Sequence, residues 1–371
     1  MVCSFRQFSG RNGLLSLVIS SNNNLITNLW RSIMLTQQVP IGSGFGASTT
    51  ADEIIRGIDL SGTIAIITGG YSGIGLETTR VLRSAGAKVI VPARDLDKAS
   101  AALKEIDGVE IEAMDLMDPA SIDAFAEKFL ASGQPLHILV NSAGIMATPL
   151  LRDARGYESQ FATNHLGHFQ LGARLWPALR QANGARVVSV SSWGHRQSPI
   201  VFDDPHFERR DYSPMSAYGQ SKTANILFAL AVDERGKAAG IRAFSLHPGS
   251  IVETGLSRFA SKEQLQAIGV IDGDGKPILD PSKNLKTVEQ GAATSVWCAI
   301  SPQLDGIGGV YCENNDIAPL VEDAAKWNND SVRRVGSLAL GVMPYAVDPE
   351  AADRLWSLSE ELLGWTPSYR G

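Results

Sequence analysis

Short apolar runs rich in β-branched residues alternate with longer segments of helical pattern from about residue 62 onward. The first two runs are TIAIIT at 63–68 and KVIVPA at 88–93, and the segment between them has the apolar spacing of a helix. Such alternation is typical of βαβ units, in which each helix carries the chain back so that successive strands are parallel. Stretches such as 64–67 and 138–140 are apolar at every position, as expected of a sheet that helices cover on both faces.

Seven such runs predict a single doubly wound Rossmann-type domain of the α/β class, with a seven-stranded parallel sheet flanked by helices. The other predicted strands lie at 109–114, 137–142, 186–192, 241–246 and 308–311. The predicted helices lie at 74–85, 96–106, 121–131, 156–179, 216–239 and 288–300. No internal repeat or domain boundary interrupts the series.

The segments outside this pattern differ from it in composition. Residues 1–33 contain three arginines and no acidic residue, which is found in transit peptides and in unselected upstream sequence alike. We expect 1–50 to be a disordered N-terminal extension, 51–330 to be the Rossmann domain, and 331–371 to be a C-terminal extension with one helix. Residues 255–285 are rich in Gly, Asp and Pro, and we expect them to form a lid over a substrate.

Charge and composition exclude several kinds of partner. Lysine and arginine together number 33 against 39 aspartates and glutamates, and the formal net charge is −6. We therefore expect no binding of nucleic acid or of an anionic membrane through basic residues. No run reaches the roughly 18 apolar residues of a membrane span. Three scattered cysteines without a CxxC pair predict neither a disulfide framework nor a metal site. We expect a cytoplasmic protein that acts on a small molecule.

The first predicted strand ends in TGGYSGIG, which places Gly69, Gly73 and Gly75 at the turn into the first helix. Small residues at such a turn let the backbone approach a pyrophosphate at the N-terminus of the helix. The spacing is GxxxGxG instead of GxGxxG, and a glycine-rich turn can also serve the fold alone. For this motif we favour dinucleotide binding over a purely structural turn.

Further motifs occur in order along the chain, each at a predicted strand end or on a predicted helix. They are TGxxxGIG at 68–75, NSAG at 141–144, the YxxxK pair Tyr218 and Lys222, and a Pro-Gly pair at 248–249 followed by Thr254. Over residues 60–315 the chain resembles the short-chain dehydrogenase/reductase family. The sequence SSWGH at 191–195 and the long spacer before Tyr218 are most similar to retinol-dehydrogenase-like members.

The resemblance implies an oxidoreductase that interconverts a ketone or aldehyde and its alcohol by hydride transfer to or from a nicotinamide cofactor. The implied catalytic residues are Asn164, Ser192, Tyr218 and Lys222. Tyr218 would exchange the proton, and since an unperturbed tyrosine has a pKa of about 10, the Lys222 ammonium one helical turn later is expected to lower it. Ser192 would orient the substrate oxygen, and Asn164 would hold a water that connects Lys222 to solvent.

The resemblance also implies a set of cofactor-binding residues at the ends of the strands. They are Gly69, Tyr71, Ser72, Gly73, Ile74, Gly75, Arg94, Asp115, Leu116, Asn141, Ala143, Gly144, Tyr218, Lys222, Pro248, Gly249, Ile251 and Thr254. Within this set, Asp115 would lie beside the adenine ring, although a helix cap is the simpler interpretation of that residue. Ile251 and Thr254 would hold the nicotinamide carboxamide.

The residues after the second strand bear on the choice between NADP and NAD. An acidic residue about 20 positions beyond the glycine loop usually binds the ribose of NAD, and Asp95 has that spacing. Ala93, however, occupies the strand end, and Arg94 with Lys98 could bind the 2′-phosphate of NADP. We therefore expect NADP, with NAD less favoured. The alternative is that both cations belong to a solvated face opposite acidic neighbours.

Two other functions are compatible with this fold. A non-catalytic NADP-binding regulatory or sensor protein would typically lack Tyr218 or Lys222, and both are present. A lyase or epimerase that uses the nicotinamide transiently is disfavoured by the Pro-Gly-Thr segment. Largely apolar residues around the expected cleft favour an apolar carbonyl or alcohol as substrate. A homo-oligomer is compatible with the long predicted helices, as is common in this family.

Overall fold

Eight strands form one sheet in the structure, a computed structural model that describes residues 38–252, 254–321 and 341–364. The strands are β1 Ile64–Thr68, β2 Lys88–Ala93, β3 Val109–Ala113, β4 Ile138–Asn141, β5 Arg186–Val190, β6 Arg242–His247, β7 Val310–Glu313 and β8 Asp316–Ile317. Their order is β3-β2-β1-β4-β5-β6-β7-β8, and β1 to β7 are all parallel. The order reverses between β1 and β4, which is where doubly wound sheets bind their ligands.

The prediction of seven parallel strands is wrong by one strand. β8 pairs antiparallel with β7, with Glu313 opposite Asp316. The two residues between them, Asn314 and Asn315, have φ angles of 52° and 64°. Asparagine tolerates this left-handed conformation, and two such residues make the tight turn of a β-hairpin. The pair of asparagines was therefore a usable signal for the extra strand.

Helices cover both faces of the sheet. They are α1 Ala51–Ile55, α2 Gly73–Ser84, α3 Leu96–Leu103, α4 Pro119–Ala131, α5 Ser159–Phe161, α6 Gly167–Arg174, α7 Trp176–Gln181, α8 Pro214–Gly236, α9 Lys262–Ala267, α10 Val288–Ile300 and α11 Pro349–Leu363. Alternate residues of β1 point to opposite faces, so that Ile66 and Ile67 belong to two separate apolar clusters. The predicted α/β fold is confirmed. Among the described residues, no helix has both the length and the apolar character needed to cross a membrane.

The single helix predicted at 156–179 is divided into several pieces. Ala162–Leu166 is π-helical, and it separates α5 from α6. A second interruption lies at Leu175, where φ and ψ of −82° and 1° leave the helical region just before Pro177. Proline lacks the N–H that a continuing helix would need and is tolerated only in a first turn. The periodic apolar pattern continues through both interruptions, and it therefore predicted one helix.

Residues 38–50 differ from the disordered extension that the sequence predicts. The amides of Ile41, Gly42 and Ser43 donate to the carboxylate of Asp316 at 2.9, 3.0 and 3.2 Å. Gln38 forms hydrogen bonds with the backbone of β7, which joins the segment to the edge of the sheet. Residues 1–37 lie outside the described residues, so the prediction for them stays open.

The C-terminal helix α11 packs across the outer face of α8. The Trp356 indole lies edge-on to Phe169 at 4.7 Å and is stacked with Phe228 at 6.3 Å between ring centroids. The Ser359 hydroxyl is 2.7 Å from Nε2 of the buried His165. The predicted helix of the C-terminal extension is thus part of the main apolar cluster, and the boundary between 51–330 and 331–371 stays a prediction.

The expected lid contains short elements held by local backbone bonds. A 3₁₀ turn covers Gly255–Ser257 and α9 follows it. Isolated bridges join Ile271 to Pro277 and Ser250 to Leu285, which returns the segment to the loop after β6. Its only buried apolar group among the described residues is a small cluster around Val270, separate from the core of the sheet. A segment with so few buried contacts can move without disturbing the sheet.

Burial of histidines predicts that acid destabilises the fold. Burial lowers the pKa of His165 and His195 to about 3 and that of His168 and His206 to about 4. The unfolded chain then takes up protons first, so stability falls as pH drops below about 6.5, and the loss continues toward the folded pKa values.

We expect the free energy of unfolding to decrease by about 2 kcal/mol per buried histidine between pH 7.5 and pH 5. Denaturant unfolding at several pH values measures this slope. His165→Phe should reduce the slope, whereas the control His137→Gln, at a half-buried site, should change it less. A slope that is the same in all three proteins would contradict the explanation.

Candidate active site

A cavity of about 290 Å³ lies at the carboxyl ends of the parallel strands, where the strand order reverses between β1 and β4. Most of the predicted site residues line it. Those that do are Gly69, Tyr71, Ser72, Gly73, Ile74, Arg94, Asp115, Leu116, Ala143, Gly144, Ser192, Tyr218, Lys222, Pro248, Gly249, Ile251 and Thr254. Gly75, Asn141 and Asn164 do not line it. The fold therefore brings together residues that are far apart in the chain.

The glycine loop allows close contact between backbone segments. Gly69 has a φ of 68°, and a Cβ there would lie 2.9 Å from Cα of Ala143. Gly73 has a φ of 51°, and a Cβ there would lie 2.9 Å from Cγ2 of Thr254. A Cβ on Gly75 would lie 2.4 Å from the Gly69 carbonyl oxygen, so the start of α2 folds back onto the loop. Only glycine satisfies all these contacts.

The hydroxyl of Thr68 connects the ends of β1 and β4. It accepts hydrogen bonds from the amides of Ser142 and Ala143 at 3.0 and 3.1 Å. Nε2 of the buried His168 lies 2.9 Å from the same oxygen. Asn141 precedes these amides at the end of β4 and is buried. The Thr68 hydroxyl oxygen thus connects the motif at 68–75 to the motif at 141–144 by hydrogen bonds.

The charged residues after β2 divide between the cavity and the fold. The Asp95 carboxylate accepts the Lys98 amide at 3.0 Å and caps the N-terminus of α3. Arg94 and Lys98 line the cavity, and Asp95 does not. A carboxylate engaged as a helix cap is a stabilising anion at the helix N-terminus. The residue with the spacing expected for NAD therefore has a structural role.

Asp115 and Leu116 form the cavity wall below the end of β3. The Asp115 carboxylate accepts the Met117 amide at 2.9 Å, and the cap of α4 is Asp118 instead. The simpler interpretation of Asp115 as a helix cap is therefore wrong. A Cβ on Gly167 would lie 2.5 Å from the Leu116 carbonyl oxygen, which brings α6 directly beneath this wall.

Tyr218 and Lys222 lie one turn apart on α8 and are both buried. The Lys222 ammonium is 5.6 Å from the centroid of the Tyr218 ring and donates to the Val190 carbonyl at 3.0 Å. Burial raises the pKa of Tyr218 to about 12, and the Ser192 hydroxyl opposes this shift. Burial also lowers the pKa of Lys222 to about 8. The sequence predicted a lowered tyrosine pKa, and desolvation of the phenolate reverses the direction.

The two serines after β5 have different partners. The Ser191 hydroxyl donates to the Lys222 carbonyl at 2.7 Å and is buried. The Ser192 hydroxyl accepts the Gly194 amide at 3.0 Å and lies near the Tyr218 phenol, whose pKa it lowers against the effect of burial. Successive residues of an extended segment point in opposite directions, which separates the two roles. Of the two serines, Ser192 is the one whose hydroxyl lies near the tyrosine.

Asn164 lies in the π-helical segment Ala162–Leu166 and is fully buried. Its side-chain oxygen accepts the Ile145 amide and its nitrogen donates to the Ile145 carbonyl, both at 2.9 Å. A Cβ on Gly144 would lie 3.2 Å from Oδ1 of Asn164 and 3.5 Å from Nζ of Lys222. The amide thus holds the loop after β4 close to the lysine, and the proposed water at Asn164 stays a prediction.

The segment after β6 forms the wall nearest the lid. Gly249 has a φ of 101°, which turns the chain sharply after Pro248. The Thr254 hydroxyl donates to the Ile251 carbonyl at 3.1 Å, and its methyl group lies against the glycine loop. This wall therefore contacts the loop that begins α2, and the predicted residues on both sides face the same space.

The structure adds lining residues that the motifs did not indicate. Examples are Pro92, Met114, Thr163, Val190 and Arg258. Thr163 lies in the π-helical segment Ala162–Leu166, and Arg258 lies in the expected lid. Neither residue is part of a sequence motif. Met114 ends a predicted strand, and a rule that strand ends face the ligand could have found it, whereas Val190 ends β5 only in the structure, two residues before the predicted end.

The described residues contain no group of three or more His, Cys, Asp or Glu side chains arranged to hold a metal ion. The cavity fits a dinucleotide, since the glycine loop before α2 lines it and two cations lie after the end of β2. Fold and site together define a nucleotide-binding α/β oxidoreductase.

The chain belongs to the short-chain dehydrogenase/reductase family. The family model described as short chain dehydrogenase matches residues 63–265. A Streptomyces lividans protein named "Probable oxidoreductase" is 45% identical over 82% of this chain and 99% of its own length. Human "Retinol dehydrogenase 12" is 36% identical over 83% of this chain and 88% of its own.

A crystal structure of an uncharacterised protein from Mycobacterium paratuberculosis is also similar. It has a TM-score of 0.63 and 30% identity, and it covers 85% of this chain and 98% of its own. The family assignment from the motifs is confirmed. The protein is an oxidoreductase of the class that acts on CH–OH or C=O groups with a nicotinamide cofactor.

The contact between Gly194 and the Tyr218 ring predicts a loss of turnover on substitution. A Cβ on Gly194 would lie 2.6 Å from Cε1 of Tyr218, so Gly194→Ala must displace the ring. The backbone there is not left-handed, and alanine adds only this steric conflict. We expect kcat to fall about tenfold or more, because small displacements of catalytic groups are costly.

Steady-state kinetics on Gly194→Ala, with thermal unfolding in parallel, measures this effect. Gly46→Ala is a matched control, since a Cβ at Gly46 meets nothing within 4 Å. An unchanged kcat in Gly194→Ala would show that the ring has room to move without consequence.

Proposed function

We propose that the protein is an NADP(H)-dependent oxidoreductase that interconverts a ketone or aldehyde and its alcohol. The observation that carries this proposal is the juxtaposition of Tyr218, Lys222 and Ser192 in one cavity with the glycine loop and Arg94. Family membership supports the reaction class, and the geometry supports the particular roles. The nicotinamide, when bound, supplies or accepts the hydride at the carbonyl carbon.

The preference for NADP is supported by the charges after β2. Arg94 and Lys98 both line the cavity, whereas Asp95 is engaged at the N-terminus of α3. A guanidinium can bind a phosphate through two parallel hydrogen bonds, and an ammonium adds charge at short range. No carboxylate at the strand end repels the 2′-phosphate, because Ala93 occupies that position.

Tyr218 is proposed to be the acid in reduction and the base in oxidation. Its burial, with a pKa of about 12, keeps the phenol protonated at neutral pH. In reduction the phenol oxygen gives its proton to the carbonyl oxygen as negative charge develops there. The Lys222 ammonium, within the same buried environment, stabilises the phenolate that remains.

Ser192 is proposed to orient the substrate oxygen beside the phenol. Its hydroxyl lies near the Tyr218 phenol and accepts the Gly194 amide, and both side chains line the same cavity. A fixed donor at the developing charge needs no reorganisation during the reaction. Asn164 is proposed to position the loop at 144–145 and to hold a water that connects Lys222 to solvent.

The substrate is proposed to be apolar and to enter beneath the segment 255–285. Ile145 lines the cavity, and so does Leu256, which belongs to this segment. Apolar walls with few polar groups are typical of sites for small organic ligands. The relative named as a retinol dehydrogenase supports this class of substrate.

NADPH and NADH oxidation with a panel of apolar aldehydes and ketones tests the reaction. We expect NADPH-dependent turnover in the wild type and at least a hundredfold lower kcat in Tyr218→Phe, since the substitution removes the proton donor alone. Tyr218→Phe should bind NADPH as the wild type does, measured by fluorescence titration. NADPH binding without consumption by any panel member would favour a sensor function over catalysis.

Arg94→Ala tests the cofactor preference. We expect the Kd for NADPH to rise about tenfold or more and that for NADH to change little, because only NADPH carries the 2′-phosphate. Lys104→Ala is the control, since Lys104 ends the same helix α3 on an exposed position. Equal weakening of both cofactors in Arg94→Ala would contradict the assignment.

A further inference from the structure

We propose that His195 is a positioning residue for Ser192, which it holds by joining the Ser192 carbonyl to the backbone amide of Met343. The inference rests on the proposed function, in which Ser192 orients the substrate oxygen. By this contact the segment 341–345, which is distant in sequence, supports the turn that carries Ser192.

The imidazole of His195 bridges two backbone groups that are 151 residues apart in number. Its Nδ1 is 2.7 Å from the Ser192 carbonyl oxygen. Its Nε2 is 3.2 Å from the Met343 amide nitrogen. The side chain is completely buried, so no solvent competes for either contact.

These partners determine which nitrogen carries the proton. The Met343 amide can only donate, so Nε2 must accept with its lone pair. The Ser192 carbonyl can only accept, so Nδ1 must carry the hydrogen. The ring is therefore neutral and in a single tautomer, and burial lowers its pKa to about 3, which keeps it neutral across the physiological range.

The segment that presents the Met343 amide is itself held against the catalytic turn. The Tyr345 hydroxyl donates to the His195 carbonyl at 2.7 Å. The Gly341 amide donates to the Glu313 carboxylate at 3.1 Å. The same carboxylate accepts the Trp193 indole N–H at 3.2 Å, so β7 contacts the residue next to Ser192. The amide of Met343 is thus a fixed point.

The effect on Ser192 follows from the geometry of the turn. The 3₁₀ helix Trp193–Gln197 begins at Ser192, whose carbonyl also accepts the His195 amide at 3.1 Å. The orientation of that carbonyl determines the plane of the Ser192–Trp193 peptide. The next peptide of the same 3₁₀ turn carries the Gly194 amide, which donates to the Ser192 hydroxyl at 3.0 Å. A displaced imidazole would leave the hydroxyl less well directed toward Tyr218.

Met343→Pro removes one N–H from this arrangement. Met343 has a φ of −68°, which proline adopts, and Val342 before it is bridged to Leu320 in an extended conformation. Met343→Ala is the control, because it shortens the same buried side chain and keeps the N–H. We expect Met343→Pro to have a kcat about three- to tenfold below that of Met343→Ala, with the Kd for NADPH unchanged.

A double-mutant cycle separates positioning from a general loss of stability. His195→Ala should lower kcat in the wild-type background by at least tenfold, and Ser192→Ala should abolish that difference, because the effect passes through the Ser192 hydroxyl. A merely structural His195 would lower kcat by the same factor in both backgrounds, and that result would overturn the proposal.

Two other results would also overturn it. Met343→Pro and Met343→Ala with the same kcat would show that the amide does not matter, even where His195→Ala fails to fold. A wild-type protein that turns over no substrate would overturn the proposed function and this inference together, whereas turnover with an additive cycle would overturn this inference alone.

Discussion

The backbone of the turn after β5 lies directly against the ring of Tyr218, and the active site depends on that contact. A Cβ on Gly194 would lie 2.6 Å from the ring, and a Cβ on Gly219 would lie 2.7 Å from the Gly194 carbonyl oxygen. Helix α8 and the turn therefore approach each other without an intervening side chain on either side. Close packing of this kind permits only one relative position. This packing fixes the backbone of the turn relative to the helix that carries Tyr218.

The same contact explains the electrostatics of the site. Tyr218 and Lys222 lie between the sheet and the turn, where little water reaches them, and each is shifted toward its neutral form by burial. The lysine is nevertheless satisfied by the Val190 carbonyl, so its charge has a partner from the sheet itself. The arrangement supplies a protonated phenol and a nearby cation in a low-dielectric environment. In such an environment an interaction with developing charge is stronger than in water.

Much of this architecture could be predicted from the sequence, because strand composition and glycine spacing are local properties. The seven parallel strands, the glycine loop and the residues at 141–144, 218 and 222 all follow from short motifs. Features that depend on tertiary packing could not be predicted in this way. The pKa of Tyr218 has the opposite direction because burial is not visible in a spacing of four residues. The π-helical segment retains a helical apolar pattern, and the bond between His195 and Met343 joins positions with no shared motif.

The contribution of residues 341–363 has a consequence for the order in which the protein is made. A ribosome releases the N-terminal strands first, and a doubly wound sheet can begin to form from them during synthesis. Helix α8, however, is covered on its outer face by Trp356, and the turn at 192–197 is completed by contacts from Met343 and Tyr345. A nascent chain that ends before these residues leaves an apolar helix face uncovered. The active site is therefore completed only after residues 341–363 have left the ribosome.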